Sequence, residues 1–397
     1  MIYISNETRT GLRNPENLIY IAFLSVFVHF IVTALILIVL GIYLLANKNY
    51  RSLMARQEGK FVFVAFTLYT VLVALYNRNF IGVACSFAFF LIIIVSSFVR
   101  ATITEKVFDR CLDLCCYASV FLGISALIEK LLNSQTPGYS CKLWFFNENY
   151  FCAVAVALVL ICAYKATSHK GPVLIYYICA VFGLLAMYLG ESMFAFVELF
   201  VGLCVLLILK KKHLLLAAFL MAVVVCLIIV FMVPDIFPRL SESGVTTERR
   251  IRIWNEAMPF IKENPLFGRG FLSYYQISGQ NPSMYQTTHT HNFAIEFLLS
   301  FGIIGTFLLI IFLWTYYHKV SECKELLRVN CATTLILTIS SAVIIHMTTD
   351  MTLMWIQTGL LYGLIMGGLG VDEQTLNRRI NACLGLGGKS DSGKENK

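Results

Sequence analysis

Apolar residues fall in eleven long runs, at 18–45, 61–76, 80–99, 111–129, 150–165, 173–189, 192–209, 214–233, 293–317, 331–349 and 351–370. About 20 consecutive apolar residues carry a helix across the hydrocarbon of a bilayer. A backbone at that depth has no water to bond, so a crossing segment must satisfy its own amides, and a helix does so. The pattern therefore predicts an all-α, polytopic transmembrane helix bundle of about 11–12 spans. Several runs are short or abut one another. The first, 18–45, is too long for the apolar core of a cleaved signal peptide and reads as a retained anchor.

The polar stretches between the runs alternate in charge. Lys48, Arg51, Arg56 and Lys60 fill one, then Arg100, Lys106 and Arg110, then Lys165 and Lys170, then Lys210, Lys211 and Lys212, and later Lys319, Lys324 and Arg328. Basic loops stay on the cytoplasmic side. That places the tail at 371–397 inside and 130–149, 190–191, 234–292 and the point around Asp350 outside, with an odd span count putting the N-terminus outside. The expected organisation is a polar N-terminal segment at 1–17, an integral membrane domain at 18–370, one long extracytoplasmic loop at 234–292 containing short helices, and a cytoplasmic tail.

Composition agrees. Of 397 residues, 58% are apolar and 14% charged, with a mean hydropathy of +0.75, whereas a soluble domain is about a quarter charged. The net charge of +8 is accounted for by the basic loops and asks for no nucleic-acid partner. Most of the 13 cysteines fall within apolar runs, where a thiol acts as a small hydrophobe. Cys141 is in a predicted outer loop, so a disulfide framework is not expected. Cys111, Cys115 and Cys116 lack the further Cys or His of a metal site. No internal repeat is visible, and no pair of Gly/Pro-broken runs recurs in matching halves as in many transporters.

The chemistry concentrates in the long loop. "TTERRIRIWNEAMPFIKENPLFGRG" (246–270) predicts a helix with Thr246 or Thr247 as N-cap and a stop at Asn264-Pro265. Ile251, Trp254, Met258 and Ile261 form an apolar stripe at helical spacing. Arg249, Arg252 and Glu256 occupy another face, and Arg250 borders the stripe. Two readings stand: an interfacial helix whose arginines reach lipid phosphates, or a clamp for a lipid-linked phosphate or diphosphate, since guanidinium groups bind phosphate oxygens in bidentate fashion. In "NPLFGRGF", Gly268 and Gly270 flank Arg269 in a tight turn where backbone N–H groups can converge, although such a pair often marks only a turn.

"THTHNFAIEFLLSFGIIG" follows. His289, His291 and Asn292 stand just before the run at 293–317. A histidine there suits proton transfer near neutral pH. Glu296, inside the run, is placed to orient a histidine or pair with an arginine, because charged groups at that depth face a bundle interior. Gly302 and Gly305 read as helix-packing positions. His346 stands near the outer end of the run at 331–349, where it can line the same cavity.

These residues resemble the O-antigen ligase and polymerase superfamily. The resemblance rests on an Arg four residues before a Trp (Arg250, Trp254), a Pro-x-x-Gly-x-Gly turn ("PLFGRG"), and His-Asn (His291-Asn292) opening a helix that runs to Gly-x-x-Gly ("GIIG"). A looser match is "FFNENYFCA", where Asn147 and Asn149 fit a motif opening a span and Glu148 replaces its Pro. One departure is "GESMF": Ser192 is in place, and Met193 stands where the family often has Arg. Arg249, Arg252 or Arg269 are the candidates to substitute.

The resemblance implies glycosyl transfer at the extracytoplasmic face of the bacterial cytoplasmic (inner) membrane. The donor is a glycan on a polyprenyl diphosphate. Arg250, with Arg249 and Arg252, holds the diphosphate, and His291 takes the proton of the acceptor hydroxyl. His289, Asn292, Glu296, Arg269, Asn149 and Ser192 support them. No metal or other cofactor is expected, because no Asp-x-Asp stands in the loop. Membrane lipids, a flippase and a chain-length regulator are the implied partners. Polymerisation of surface-polysaccharide repeat units is favoured, ligation of finished glycan to a lipid or wall acceptor is the alternative, and a non-enzymatic transporter or flippase is a third.

Overall fold

A computed structural model describes residues 14–136, 138–168, 173–233, 243–327 and 331–383. Within them the chain is helical, with no strand. The predicted polytopic helical bundle is what forms. Every apolar run coincides with a helix, but the helix lengths depart from eleven full crossings. α5 (Phe80–Thr102), α6 (Glu105–Leu132), α7 (Glu148–Ser168), α10 (His213–Met232) and α13 (Phe293–Leu327) are each long and apolar enough to cross a membrane. α2 (Phe30–Ala46) and α3 (Lys48–Met54), bent by 93° at their junction, count together as one more. α4 (Lys60–Tyr76), α8 (Leu174–Gly190), α9 (Met193–Leu209) and α14 (Ala332–Met347) are apolar but shorter. The last run yields only a 3-10 turn and α15 (Ile356–Gly367), whose 12 residues reach about 18 Å, well short of the hydrocarbon thickness. A hydropathy run counts residues, and a break inside it shortens the helix without interrupting the apolar pattern.

The run at 18–45 shows this. It divides into α1 (Pro15–Ser25), capped by Asn14, and α2, capped by His29. Gln357 fills the gap, its Nε2 donating to the carbonyls of Val26 and Val28 at 3.1 and 2.7 Å. His29 is thus a cap at a helix break, satisfied locally through Nδ1.

α7 is the centre of the bundle: every residue from Tyr150 to Ile161 is buried. It packs on α6, α8, α9 and α14, while α9 and α14 pair with each other and α15 lies on α5. α10 buries none of its residues. α16 (Leu369–Cys383), which covers the start of the stretch expected to be a cytoplasmic tail (371–397), packs on α13, α14 and α5. Its buried Asp372 accepts the first N–H groups of α14, from Ala332 and Thr333, and Glu373 forms a two-pronged ion pair with Arg100. Residues 384–397 and 1–13 lie outside the described part.

The long loop does carry helices, α11 (Ser243–Glu263) and α12 (Ser273–Gln280). The predicted stop at Asn264-Pro265 holds. The start is earlier than predicted, so Thr246 and Thr247 lie within the helix rather than capping it. The buried face also differs: Ile253 and Ala257 pack on Tyr274, Ile277 and Leu299, while Ile251 and Met258 stay exposed. Apolar residues cover a wide arc of α11, and the positions of α12 and α13 select which part is covered. To place this loop relative to the membrane, we expect Gln280→Cys, at an exposed position, to react with a membrane-impermeant thiol reagent added to intact cells above the background of the parent chain. Reaction only after permeabilisation places the loop inside and overturns the orientation.

Candidate active site

α13 opens with Asn292 as N-cap, its Oδ1 accepting from the N–H groups of Ala294 and Ile295 at 3.0 and 3.2 Å. The Asn292 amide donates to the Thr348 carbonyl, 3.1 Å away, which ties the start of α13 to the end of α14. Just before the cap, His291 has φ +53°. A left-handed backbone at a non-glycine residue costs on the order of 1–3 kcal/mol and persists only where neighbours enforce it. Here Glu296 does so. Fully buried, it accepts the Thr290 N–H at 2.9 Å and the Ser300 hydroxyl at 2.9 Å. Trp254 of α11 donates its indole N–H to the Thr290 carbonyl at 2.9 Å. Glu296 therefore fixes the backbone that presents the histidines, and it touches neither imidazole among the described contacts.

Both imidazoles turn toward one carboxylate that the sequence pattern did not single out. Asp350, in the turn after α14 and 1% exposed, lies 3.1 Å from His289 Nε2 and 3.6 Å from His291 Nδ1, both measured to Oδ1. His289 has both nitrogens engaged. Its Nδ1 accepts the His291 backbone N–H at 3.2 Å. With Nδ1 accepting, Nε2 carries a proton, faces Asp350 and has the Tyr150 hydroxyl at 3.2 Å. The other oxygen of Asp350 accepts from the Asn149 amide, and Asn149 Oδ1 accepts from Ser192 Oγ at 2.8 Å. Ser192, Asn149, Asp350 and His289 thus form one chain of hydrogen bonds, across helices α7 and α9 and the turn after α14. Asn147 contributes differently, accepting the Tyr150 N–H at 2.9 Å at the start of α7.

His291 is the freer ring. Its Nε2 is 3.1 Å from Thr287 Oγ1, and its Nδ1 is buried without a hydrogen-bond partner, the 3.6 Å to Asp350 exceeding bonding length. Burial pushes its pKa below the ordinary value, and Asp350 opposes that shift while His289 and Arg250 add to it. For Asp350, burial acts to raise the carboxyl, but the imidazoles of His289 and His291 hold it well below the usual carboxylate range. The site at neutral pH is an ionised carboxylate beside a neutral His291.

The three arginines of α11 part company. Arg250 is half-buried with its guanidinium 4.9 Å from the Phe194 ring at the start of α9, and its charge reaches Asp350 and His291. Among the described residues it has no carboxylate partner. Arg252 is exposed and committed elsewhere, donating to Glu256 at 2.7 Å and to the Ser283 carbonyl at 2.8 Å. Glu256 also accepts from the Tyr274 hydroxyl and the Tyr285 N–H, both at 2.8 Å, and so anchors the loop after α12. Arg249 is exposed. A shallow depression of about 440 Å³ on the exposed side of α11 is lined by Glu248, Ile251, Arg252, Asn255 and Glu256. Two carboxylates make it a poor seat for a diphosphate.

The "PLFGRG" turn has a structural task. α13 breaks at Gly302 (φ 60°, ψ −169°), and the turn seals the break. Arg269 N–H and Gly270 N–H donate to the carbonyls of Leu299 and Ser300 at 3.0 and 2.7 Å. In return Ile303 N–H and Ile304 N–H donate to Pro265 and Leu266 at 2.9 and 3.0 Å. A Cβ on Gly268 would stand 2.5 Å from the Gly302 nitrogen. The amides expected to converge on a ligand are consumed here. Arg269 pairs with Glu263 at 2.6 Å and leans over Phe260.

His289, His291 and Asp350 also offer three ligand atoms within 4.8 Å of one another, the donor types of a divalent-cation site. Asp350 already accepts from Asn149 and from the Met351 N–H, and His289 has to surrender its Nε2 proton to bind a metal.

Asp350 and Tyr150 are the residues that sequence reading missed. A signal existed: Asp350 is an acid set between two abutting apolar runs, and an ionisable group in that position marks a candidate site. Its place was read only as an outer turn.

No curated protein matches the chain. A family model described as O-Antigen ligase matches residues 178–310. The matched stretch contains Arg250, His289 and His291, and it ends before Asp350. Over that stretch, about a third of the chain, the protein is similar to the O-antigen ligase family, and the apolar helices of the bundle accord with that similarity.

Proposed function

We propose that the protein transfers a glycan from a polyprenyl diphosphate to an acceptor hydroxyl at the extracytoplasmic face, and that it polymerises the repeat units of a surface polysaccharide. The observation that carries this reading is the His291 imidazole set 3.6 Å from Asp350, with the charge of half-buried Arg250 reaching both. The family match supports O-antigen ligase/polymerase-type glycosyl transfer. The finer assignment rests on the site's chemistry. The acceptor oxygen forms a bond to the anomeric carbon, the bond from that carbon to the diphosphate oxygen breaks, and the acceptor proton passes to His291. Asp350 stabilises the imidazolium that results. Negative charge grows on the departing diphosphate, and a preorganised guanidinium stabilises it most when the bond is breaking. With Nδ1 turned to Asp350, the proton-accepting atom is Nε2, and the Thr287 hydroxyl at 3.1 Å occupies the kind of position an acceptor hydroxyl takes. Such contacts often lengthen without substrate and tighten with it.

The test uses purified protein in lipid with a synthetic polyprenyl-diphosphate repeat unit and a metal chelator. A ladder of products from donor alone supports the polymerase. Transfer only after addition of a separate glycolipid acceptor supports the ligase. No transfer under either condition, with or without added Mg²⁺, defeats the reading, and transfer only with Mg²⁺ defeats the metal-free form of it. In the same assay Arg250→Ala is expected to lose about tenfold to a hundredfold, the scale of hydrogen bonds to a charged group. Arg250→Lys should also be impaired because a point charge replaces a planar fork. Arg249→Ala and Arg252→Ala should lose less, since both residues are exposed and Arg252 is bonded to Glu256 and Ser283. Full chain length from Arg250→Ala removes that residue from donor binding.

A further inference from the structure

One helical turn before Asp350 lies a second carboxylate–imidazole pair. The Asp350 N–H bonds to the His346 carbonyl at 3.0 Å, so Asp350 follows His346 by one turn of backbone just past the end of α14. His346 Nδ1 is 2.5 Å from Glu198 Oε2 on α9, with the two side chains 1% and 2% exposed. Neither residue has a part in the proton transfer described above. As packing between α9 and α14 the pair is a costly choice, because two apolar side chains of similar volume usually stabilise a buried contact equally well or better.

The ring's other nitrogen gives the pair a direction. His346 Nε2 is buried and has no hydrogen-bond partner. Buried polar atoms are nearly always satisfied, and an exception calls for a ligand or another specific reason. With Glu198 accepting from Nδ1–H, an imidazolium here presents Nε2–H as a charge-assisted donor. The charges of Arg250 and Asp350 both reach this ring. His346 is thus one backbone turn from Asp350, the carboxylate that the histidines face, and its unpartnered Nε2 asks for an acceptor there.

We propose that His346, fixed by Glu198, is a second donor-binding residue, giving the lipid diphosphate a hydrogen bond through Nε2 beside the contact from Arg250. The proposal rests on the function argued above and specifies how the anion is shared. Two donors on different helices, α11 and α14, would fix the orientation of a diphosphate that one arginine leaves free to rotate. That orientation sets the line of attack at the anomeric carbon.

Binding is read directly, without turnover, using the full-length protein in lipid nanodiscs and a radiolabelled polyprenyl diphosphate that carries no sugar. The key variant is the double replacement Glu198→Leu with His346→Leu, which removes the donor without stranding a buried charge. It should weaken binding about 10- to 100-fold, the range for a hydrogen bond to a charged group, and Arg250→Ala should do the same. If the parent and the double variant bind equally while Arg250→Ala binds poorly, the His346 contact is overturned and the donor assignment survives. If the parent does not bind the diphosphate, the donor assignment itself fails. Should the double variant not assemble, His346→Gln and His346→Met decide, being close in length and differing in an N–H donor. Gln should bind at least about tenfold tighter than Met, and equal binding overturns the proposal.

Discussion

Replacing His291 with alanine should cut turnover by about 10²–10⁴-fold, the usual contribution of a general acid–base group, while binding of a sugar-free polyprenyl diphosphate stays close to that of the parent. The split follows from the geometry. His291 Nε2 faces Thr287, whereas the proposed contacts to the diphosphate come from Arg250 and His346 on other helices. The pH profile gives a second, independent readout. A base works in its neutral form, and burial lowers the His291 pKa from its ordinary value. The rate should therefore fall only on the acid side of about 6.5, the unperturbed imidazole value. Because Asp350 pulls that pKa upward, Asp350→Asn should move the acid limb to lower pH still. His289→Ala is expected to be milder in rate, since both its nitrogens are engaged in holding Asp350 and the His291 backbone. Activity at the parent rate in His291→Ala, with His289→Ala dead, exchanges the two roles. Full activity in both returns the pair to structure alone.

The second large effect is expected at Asp350. Asp350→Ala leaves the His289 imidazole, the Asn149 amide and the Met351 N–H without their acceptor. Each buried donor left unsatisfied costs about 1–3 kcal/mol, so thermal stability should fall along with turnover. Asp350→Asn separates the two consequences. It keeps the volume and one acceptor oxygen, so the protein should fold, and it removes the charge that stabilises the His291 imidazolium, so turnover should still drop by about a hundredfold or more. Measuring the melting temperature of the detergent-solubilised protein beside the gel assay checks both. An Asp350→Asn protein with the parent rate shows that the carboxylate serves only the fold.

Much of the fold was legible because membranes impose a simple code. Apolar runs, separated by basic and non-basic stretches, located the helices of the bundle. Asn292 before an apolar run marked the cap that opens α13, and Asn264-Pro265 marked the end of α11. The residues nominated for chemistry were partly gathered. His289, Asn149 and Ser192 lie on one hydrogen-bond chain through Asp350, His291 faces the same carboxylate, and Arg250's charge reaches them. Arg252 and Arg269 are spent on Glu256 and Glu263. Local spacing could not separate these cases, because three arginines within four residues of one helix differ only in which neighbour each meets.

The sequence by itself determined what each segment can be: helix or turn, apolar or basic, capped or broken, since those properties depend on residues within a turn or two of one another. Only the tertiary structure decided which nitrogen is free, which arginine is unspent and which carboxylate organises the site. Asp350 meets Asn149 across 201 positions of chain, and His346 meets Glu198 across 148. No period along the chain encodes such contacts. They arise from the packing of α7, α9 and α14, where burial strengthens each charge and makes an unpaired one costly.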